Sequence, residues 1–571
     1  MPEPMRRLAR VALLAACIMG PAAAAAGAGV SGAYLAAIVA ERRNDVAAAA
    51  RYFAAAVRAD PARGDLRYKA MLFQLAAGDA AAALREAGAL ADAGAGGGEA
   101  ALILAAEEIR AGAFTDALAR LESAEPPVSP ALVALVGGWA ASVDDPAQAD
   151  LMFDRLAGSG GLADLALWHK AMARAVAGDP ETAAALLADR EPGLIAAIPR
   201  ALRATAELLA ATGRQGRALA LLDAAIAQGE EDPALAGLRA RIASGEPVRF
   251  ALIPNATLGV AEAFFHAAVI AGRGEQQQLA ALVYARLALH LDPAHDYARI
   301  EAARELLQLD QQELAIDLLA GLAPDSPLSL RGQVMRADAL MALGRSDEAI
   351  EILARLQAAH PESLLAATAL AQALHREERW AEAAEAYGRA IAILDGRIER
   401  RHWPLFYRRG IAHERAGRWE LAEADFRRAL ELEPDQPDVL NYLGYSLVEM
   451  GMKLEEAEAM IRRAVELAPD NGFITDSLAW VLYRLGRFEE AVAPMERAVA
   501  LEPNDPILND HLGDILWMVG RRMEARFQWK RALSLGPEEK EIPRIRRKLE
   551  VGLDRVLEEE RARRDRAGDG G

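Results

Sequence analysis

Four prolines near the end of the chain, Pro434, Pro469, Pro503 and Pro537, stand 35, 34 and 34 residues apart. Each closes a similar segment: ALELEPDQ (429–436), AVELAPDN (464–471), AVALEPND (498–505) and ALSLGPEE (532–539). A glycine stands upstream of each, at Gly417, Gly451, Gly486 and Gly520, and the segments after these glycines are WELAEADF, LEEAEAMI, FEEAVAPM and MEARFQWK. A fixed period of this length means one supersecondary unit copied and stacked, because a single copy cannot bury its apolar face alone. Each shared position has a physical role. The glycine lets the chain leave a first helix and turn tightly. Ala457 or Ala491 is small enough for two helices to approach, and Pro469 or Pro503 stops the second helix. The pattern therefore predicts pairs of helices laid side by side.

The rest of the chain fits that reading. Its 571 residues are too many for one compact core. Hydrophobic residues make up 53% but aromatic ones only 5%, and alanine fills the difference, which favours closely packed helices. The repeat extends upstream with decay, through 403–436, 375–393 and 337–361 to weaker units at 296–329 and 262–295. Before that come turns followed by Ala-rich amphipathic helices, such as NDVAAAARYFAAAVRADP (44–61) and ATGRQGRALALLDAAI (211–226). Six units are expected before residue 233 and eight after 262. The expected organisation is an Ala-rich arm over 30–244, a Pro- and Gly-containing junction over 245–261, and a regular array over 262–539. A capping helix over 540–566 and a disordered tail over 567–571 complete it. The formal charge of −18 argues against a general nucleic-acid binder, which needs a basic face, and leaves protein partners open.

Residues 1–28 read as an export signal: Arg6, Arg7 and Arg10, then VALLAACIMG, then small residues suited to signal peptidase. The apolar run is too short to span a membrane as a helix. The only cysteine, Cys17, lies within it, in LAAC. Two outcomes stay open: removal with the signal and release to the periplasm, or lipidation of Cys17 and anchoring at the outer membrane. In either case the mature body has no disulfide and no thiol nucleophile.

One stretch looks chemical. Asp510, His511 and Asp514 fall within five residues, and on a helix Asp510 and Asp514 share a face. In the register of the repeat they lie on the groove side with Trp517. The preceding units place Asp476, Trp480, Tyr483 and Arg484, then Asn441, Tyr442 and Tyr445, then Tyr407 and Arg408 on the same side. Three readings compete for these residues. They form a groove for a protein or extended peptide, they pack between repeats, or they bind a metal or catalyse. Aromatic side chains with Asn, Asp and Arg suit the first. The third is weakened because Asp510 and His511 diverge on a helix. The chain also has no G-x-S-x-G, H-E-x-x-H or P-loop sequence. Neither catalytic residues nor a cofactor or metal is expected. Six of the eight tryptophans lie in the last third, which places the expected binding surface there.

The combined positions L-G/A-x-x-L, Gly, E-A, bulky, Ala and Pro resemble the tetratricopeptide repeat family. The resemblance implies an all-α, right-handed superhelical solenoid with two arms and a C-terminal capping helix. Members that clamp chaperone C-termini use Lys, Asn and Arg at set groove positions. Asn441 and Arg484 are present here without the matching Lys, which argues against chaperone-tail binding. Residues 441–522, with their N-Y-L-G-Y, D-S-x-x-W-V-x-Y-R-L-G and H-L-G-D-x-L-W blocks, look like exported repeat proteins of Gram-negative bacteria. Some of these are lipoproteins that act as adaptors of periplasmic carboxyl-terminal processing proteases. That resemblance implies a non-enzymatic adaptor for a periplasmic protease or envelope assembly protein. A self-associating component of an envelope or pilus complex is the alternative.

Overall fold

The computed structural model describes residues 30–158, 161–190, 193–227, 232–274 and 276–568. The export signal, Cys17 and residues 569–571 of the tail lie outside the described residues. The described residues form helices joined by turns with no strand, and among them no helix is long and apolar enough to cross a membrane. The chain divides into two compact units, one up to Leu356 and one from Gln357.

The first unit opens with six helix pairs, from Val30–Arg42 with Val46–Ala59 to Pro199–Ala211 with Gln215–Ala227. The helix Pro233–Ala243 follows, and residues 246–255 are without helix. That stretch is held rather than loose. Ile253 is buried, and the N–H groups of Ala251 and Leu252 donate to Glu207 Oε2 at 3.4 and 3.3 Å. The chain then doubles back on its own earlier helices. Ala256–Ala271 packs against Pro130–Ala141 and Ala163–Val176, and Gln278–Leu291 packs against Gly64–Ala77 and Gly97–Arg110. Two long-range bonds mark the return: Val46 N–H to Gln311 Oε1 at 3.1 Å, and Arg286 Nε to the Ala76 carbonyl at 3.2 Å. The helices come close at Gly259, where a Cβ would stand 2.2 Å from the ring of fully buried Trp139.

The second unit holds five helix pairs, from Leu364–Arg376 with Trp380–Ile393 to Pro506–Met518 with Arg522–Ser534. The turn glycines Gly417, Gly451, Gly486 and Gly520 have φ of 73, 66, 76 and 82°, the left-handed geometry that a Cβ disfavours. Ala422, Ala457, Ala491 and Ala525, where the helices of a pair meet, are each 0% exposed. Asn471 and Asp505 cap the helices Gly472–Arg484 and Pro506–Met518, each accepting two backbone N–H groups. The cap of the array is two helices, Ile542–Val551 and Leu553–Gly568, rather than one. They separate at Gly552, with φ 86° and ψ 160°. A Cβ there would lie 2.4 Å from the Trp517 ring, so the break lets the indole sit against backbone. Ile545, Leu553 and Val556 of these two helices are buried.

Gly259→Ala forces a methyl group into the Trp139 ring, and overpacking of this kind costs about 1–3 kcal/mol. We expect urea denaturation followed by circular dichroism to show that loss. Gly216→Ala, at a position with nothing within 4 Å of the new Cβ, is the control expected to show none.

Candidate protein-interaction cleft

Four consecutive helix pairs of the second unit contribute to an open cleft of about 480 Å³. Glu414 and Arg415 end the helix Trp403–Arg415 at one side. Pro437–Glu449 presents Asn441, Tyr442, Tyr445, Ser446 and Glu449, with Met450 just beyond it. Gly472–Arg484 adds Phe473, Asp476 and Ser477, and the start of Pro506–Met518 adds Asp505, Ile507, Leu508 and His511. The walls are tied together by polar contacts. Tyr442 Oη donates to Glu414 Oε2 at 3.2 Å, and His511 Nδ1 lies 2.9 Å from Asp476 Oδ1. Trp480 stacks on His511 with ring centroids 4.0 Å apart and on Tyr483 at 4.8 Å, while its Nε1 donates to Glu449 Oε1 at 2.8 Å. Arg484 reaches the same oxygen at 3.4 Å. Tyr407 meets Tyr442 edge-on at 5.9 Å, and Arg408 is exposed on the same helix. Burial pulls the His511 imidazolium down, but Asp476 opposes it and the net effect is a pKa above the usual value.

Two features of the cleft are unspent. Asn441 Oδ1 is buried with no hydrogen-bond partner among the described residues. Phe473 and Ile507, in the first turns of the first helices of two successive repeats, are 52% and 46% exposed. Of the residues expected in the groove, Asn441, Tyr442, Tyr445, Asp476 and His511 line the cleft. Trp480, Tyr483, Arg484 and Tyr407 stand behind its lining through the contacts above. The sequence reading passed over Glu449, Phe473, Asp505 and Ile507. Glu449 was accessible by helical spacing, one turn beyond Tyr445 and two beyond Asn441.

The tetratricopeptide repeat family profile matches residues 334–397, 407–472, 453–506 and 476–540. Those residues are similar to tetratricopeptide repeats. Tetratricopeptide repeats bind protein or peptide partners. Solved structures similar to parts of the chain include a tetratricopeptide repeat protein from Parabacteroides merdae ATCC 43184, at 18% identity and TM-score 0.37, covering 45% of this chain and 97% of that one. The Cut9–Hcn1 hetero-tetramer of APC/C matches at 14% identity and TM-score 0.37, covering 91% of this chain and 95% of that one. YrrB, described as a tetratricopeptide repeat protein with an unusual peptide-binding site, matches at 18% identity and TM-score 0.27, covering 33% and 94%.

The repeat register resolves the chemical-looking cluster. Asn441, Asp476 and Asp510 are equivalent positions, 35 and 34 residues apart. Asp476 meets the imidazole of His511 in the next repeat. Asp510 has no further repeat ahead of it and meets Lys548 of the terminal helix instead, with Nζ 2.7 Å from Oδ2. Asp514 joins the same ammonium at 2.6 Å, accepts from Trp529 Nε1 at 2.9 Å, and lies 3.3 Å from Arg544. Lys548 and Asp514 are 0% exposed. The cation these carboxylates hold is therefore a lysine of the same chain. Burial, and then Asp514 beside it, push the Asp510 carboxyl up, while Lys548 opposes them. Trp517 also faces the terminal helices, donating from Nε1 to Asp554 Oδ2 at 3.0 Å under the Arg522 guanidinium. Asp510, Asp514 and Trp517 thus fasten the end of the repeats, and only His511 of the cluster turns to the cleft.

A second concentration of polar groups lies in the core of the first unit. Trp139 Nε1 donates to His169 Nδ1 at 2.9 Å, which leaves the His169 proton on Nε2, 3.0 Å from His266 Nδ1. Burial drives both imidazoles down, His266 to about 4, so both rings are neutral at pH 7. Arg200 Nε donates to Glu262 Oε1 at 2.6 Å. His295 caps its own helix through Nδ1, and its Nε2 stands 3.5 Å from Glu262 Oε2, too far for a strong bond. All four groups His169, His266, His295 and Glu262 are at most 1% exposed, so the directed chain specifies how the doubled-back helices pack.

Two measurements follow from this geometry. Lys548→Met removes the ammonium from two buried carboxylates and is expected to destabilise the second unit by about 3–5 kcal/mol, offset in part by Arg544. Adding Asp510→Asn and Asp514→Asn should recover much of that loss in urea denaturation. The raised pKa of His511 means its charge-linked stabilisation is fully present below pH 6.5 and fades as pH rises through the folded value. NMR titration should place the His511 midpoint above 6.5, and Asp476→Asn should move it down.

Proposed function

We propose that the chain is a non-enzymatic interaction scaffold of the bacterial cell envelope, and that the cleft of its second unit holds an extended segment of a protein partner. The carrying observation is that one cleft offers a buried free acceptor, Asn441 Oδ1, beside two exposed apolar side chains, Phe473 and Ile507. A peptide N–H satisfies the first once the Asn441 amide turns toward the cleft, and a peptide's apolar side chains cover the others. Tyrosine and tryptophan walls suit this role, since they give contact area at low entropic cost. Rigid stacked helix pairs then bring two partners to one place and raise their local concentration. The export signal read over residues 1–28 supports the envelope as the compartment. The likeness of residues 441–522 to exported adaptors supports a periplasmic protease or an envelope assembly protein as the partner.

Affinity capture from an envelope fraction tests the reading, with wild type beside Asn441→Ala/Phe473→Ala/Ile507→Ala and circular dichroism to confirm folding. A specific protein held by the wild type and lost from the folded triple variant is the expected result. Identical capture by both moves the site away from this cleft. Concentration-dependent self-association in sedimentation, without a retained partner, favours the self-assembling reading.

A further inference from the structure

Charge at the cleft is unbalanced, and this bears on what enters it. Four carboxylates line the cleft, Glu414, Glu449, Asp476 and Asp505, against the guanidinium of Arg415 and the imidazole of His511. Arg484 adds one more positive group from the adjoining wall, through Glu449. Asp476 is matched by His511, but the other three are engaged on one side only. Glu414 uses Oε2 for Tyr442 and Arg415, Glu449 uses Oε1 for Trp480 and Arg484, and Asp505 uses Oδ1 for the N–H groups of Ile507 and Leu508. An ionised carboxylate has about four acceptor sites across two oxygens, so each keeps capacity for a further donor. Between these acceptors project the apolar side chains of Phe473 and Ile507, exposed at the start of their helices. The phenol faces of Tyr442 and Tyr445 are also favourable surroundings for a cation.

We propose that the occupant of the cleft is an extended peptide segment that alternates basic and apolar side chains, bound through its lysines or arginines at Glu414, Glu449 and Asp505 and through its apolar residues at Phe473 and Ile507. This rests on the cleft being the binding site. An acidic segment, such as a carboxylate-rich chain terminus, meets like charge at three of the same points and is disfavoured.

The test uses the full chain and two blocked decapeptides, one alternating lysine with leucine and phenylalanine and one with glutamate in place of every lysine. Glu414→Gln/Glu449→Gln/Asp505→Asn removes three charges while keeping every acceptor that now holds the walls, and Asn remains a good helix cap. We expect the lysine peptide to bind at least tenfold more tightly than the glutamate peptide in calorimetry. The neutralised variant should lose at least tenfold and most of the salt dependence. Phe473→Ala/Ile507→Ala should weaken binding without changing that dependence. Tighter binding of the glutamate peptide, lost in Asn441→Ala/Phe473→Ala/Ile507→Ala, overturns the charge class and leaves the cleft as the site. Binding of neither peptide, or binding indifferent to all the variants, overturns the proposed occupant. The capture experiment then judges the cleft on its own.

Discussion

The paired helices of the second unit meet on alanine, a small side chain that lets two helices approach closely. Ala422, Ala457, Ala491 and Ala525 are sealed completely at these contacts. Everything about the cleft depends on that constraint, because its lining comes from four different helices. No single helix carries enough of the site to bind anything. The distances between Glu414, Tyr442, Asp476 and His511 are set by how closely each pair packs and how the next pair stacks on it. Protein interiors are dense and do not yield smoothly, so the array transmits a fixed spacing rather than an adjustable one. Turn glycines in the left-handed region serve the same end by allowing short connections between close helices.

Stacking adds a second device, a carboxylate in one unit that meets a cation in the next. At one equivalent position of the repeat the partner is inward: Asp476 meets His511 and Asp510 meets Lys548, and both pairs are largely buried. Desolvation makes such pairs poor sources of net stability. Their value lies in register, since a shifted neighbour would leave a buried charge alone. The equivalent position one repeat earlier is Asn441, where an amide replaces the carboxylate and its oxygen has no partner among the described residues. The cleft opens where this ladder is interrupted. At the other end the ladder closes on Lys548, and Gly552 lets Trp517 cover the last turn. A stacked array needs such a cover because its final unit has no neighbour to bury its apolar face.

What could be read from the sequence was what is local and periodic. Prolines, glycines and alanines at a constant interval identified the helix pairs. Helical spacing put Asn441, Tyr442, Tyr445, Asp476 and His511 on one side, and the structure brings these five to one cleft. The same logic assigned Asp510, Asp514 and Trp517 to the groove, where the structure gives them to the terminal helices instead. The reason is physical. Which neighbour covers a helix face in the last repeat is decided by the cap, and the cap does not repeat. Lys548 carries no periodic mark that ties it to Asp510. The doubling back of the first unit was equally hidden. Its contacts, such as Gly259 against Trp139, join residues far apart in a chain whose Ala-rich helices resemble one another. Phe473, Asp505 and Ile507 sit at helix starts, outside the central stripe that defines the repeat, whereas Glu449 continues the face of Asn441 and Tyr445.

Those helix ends explain why the cleft can be selective without being deep. Asn471 and Asp505 each accept two backbone N–H groups, which fixes the first turn of the helix that follows. Phe473 and Ile507 stand in these fixed turns, so the backbone holds their projection into solvent. With the backbone already fixed, only the side-chain rotamers remain to be ordered when these residues are covered, and that lowers the cost of binding. Asp505 does two jobs at once, since one oxygen caps the helix while its charge faces the cleft. The acidic character of the cleft is therefore built into the caps that shape it. A partner that neutralises Asp505 can do so without competing for the oxygen that caps the helix.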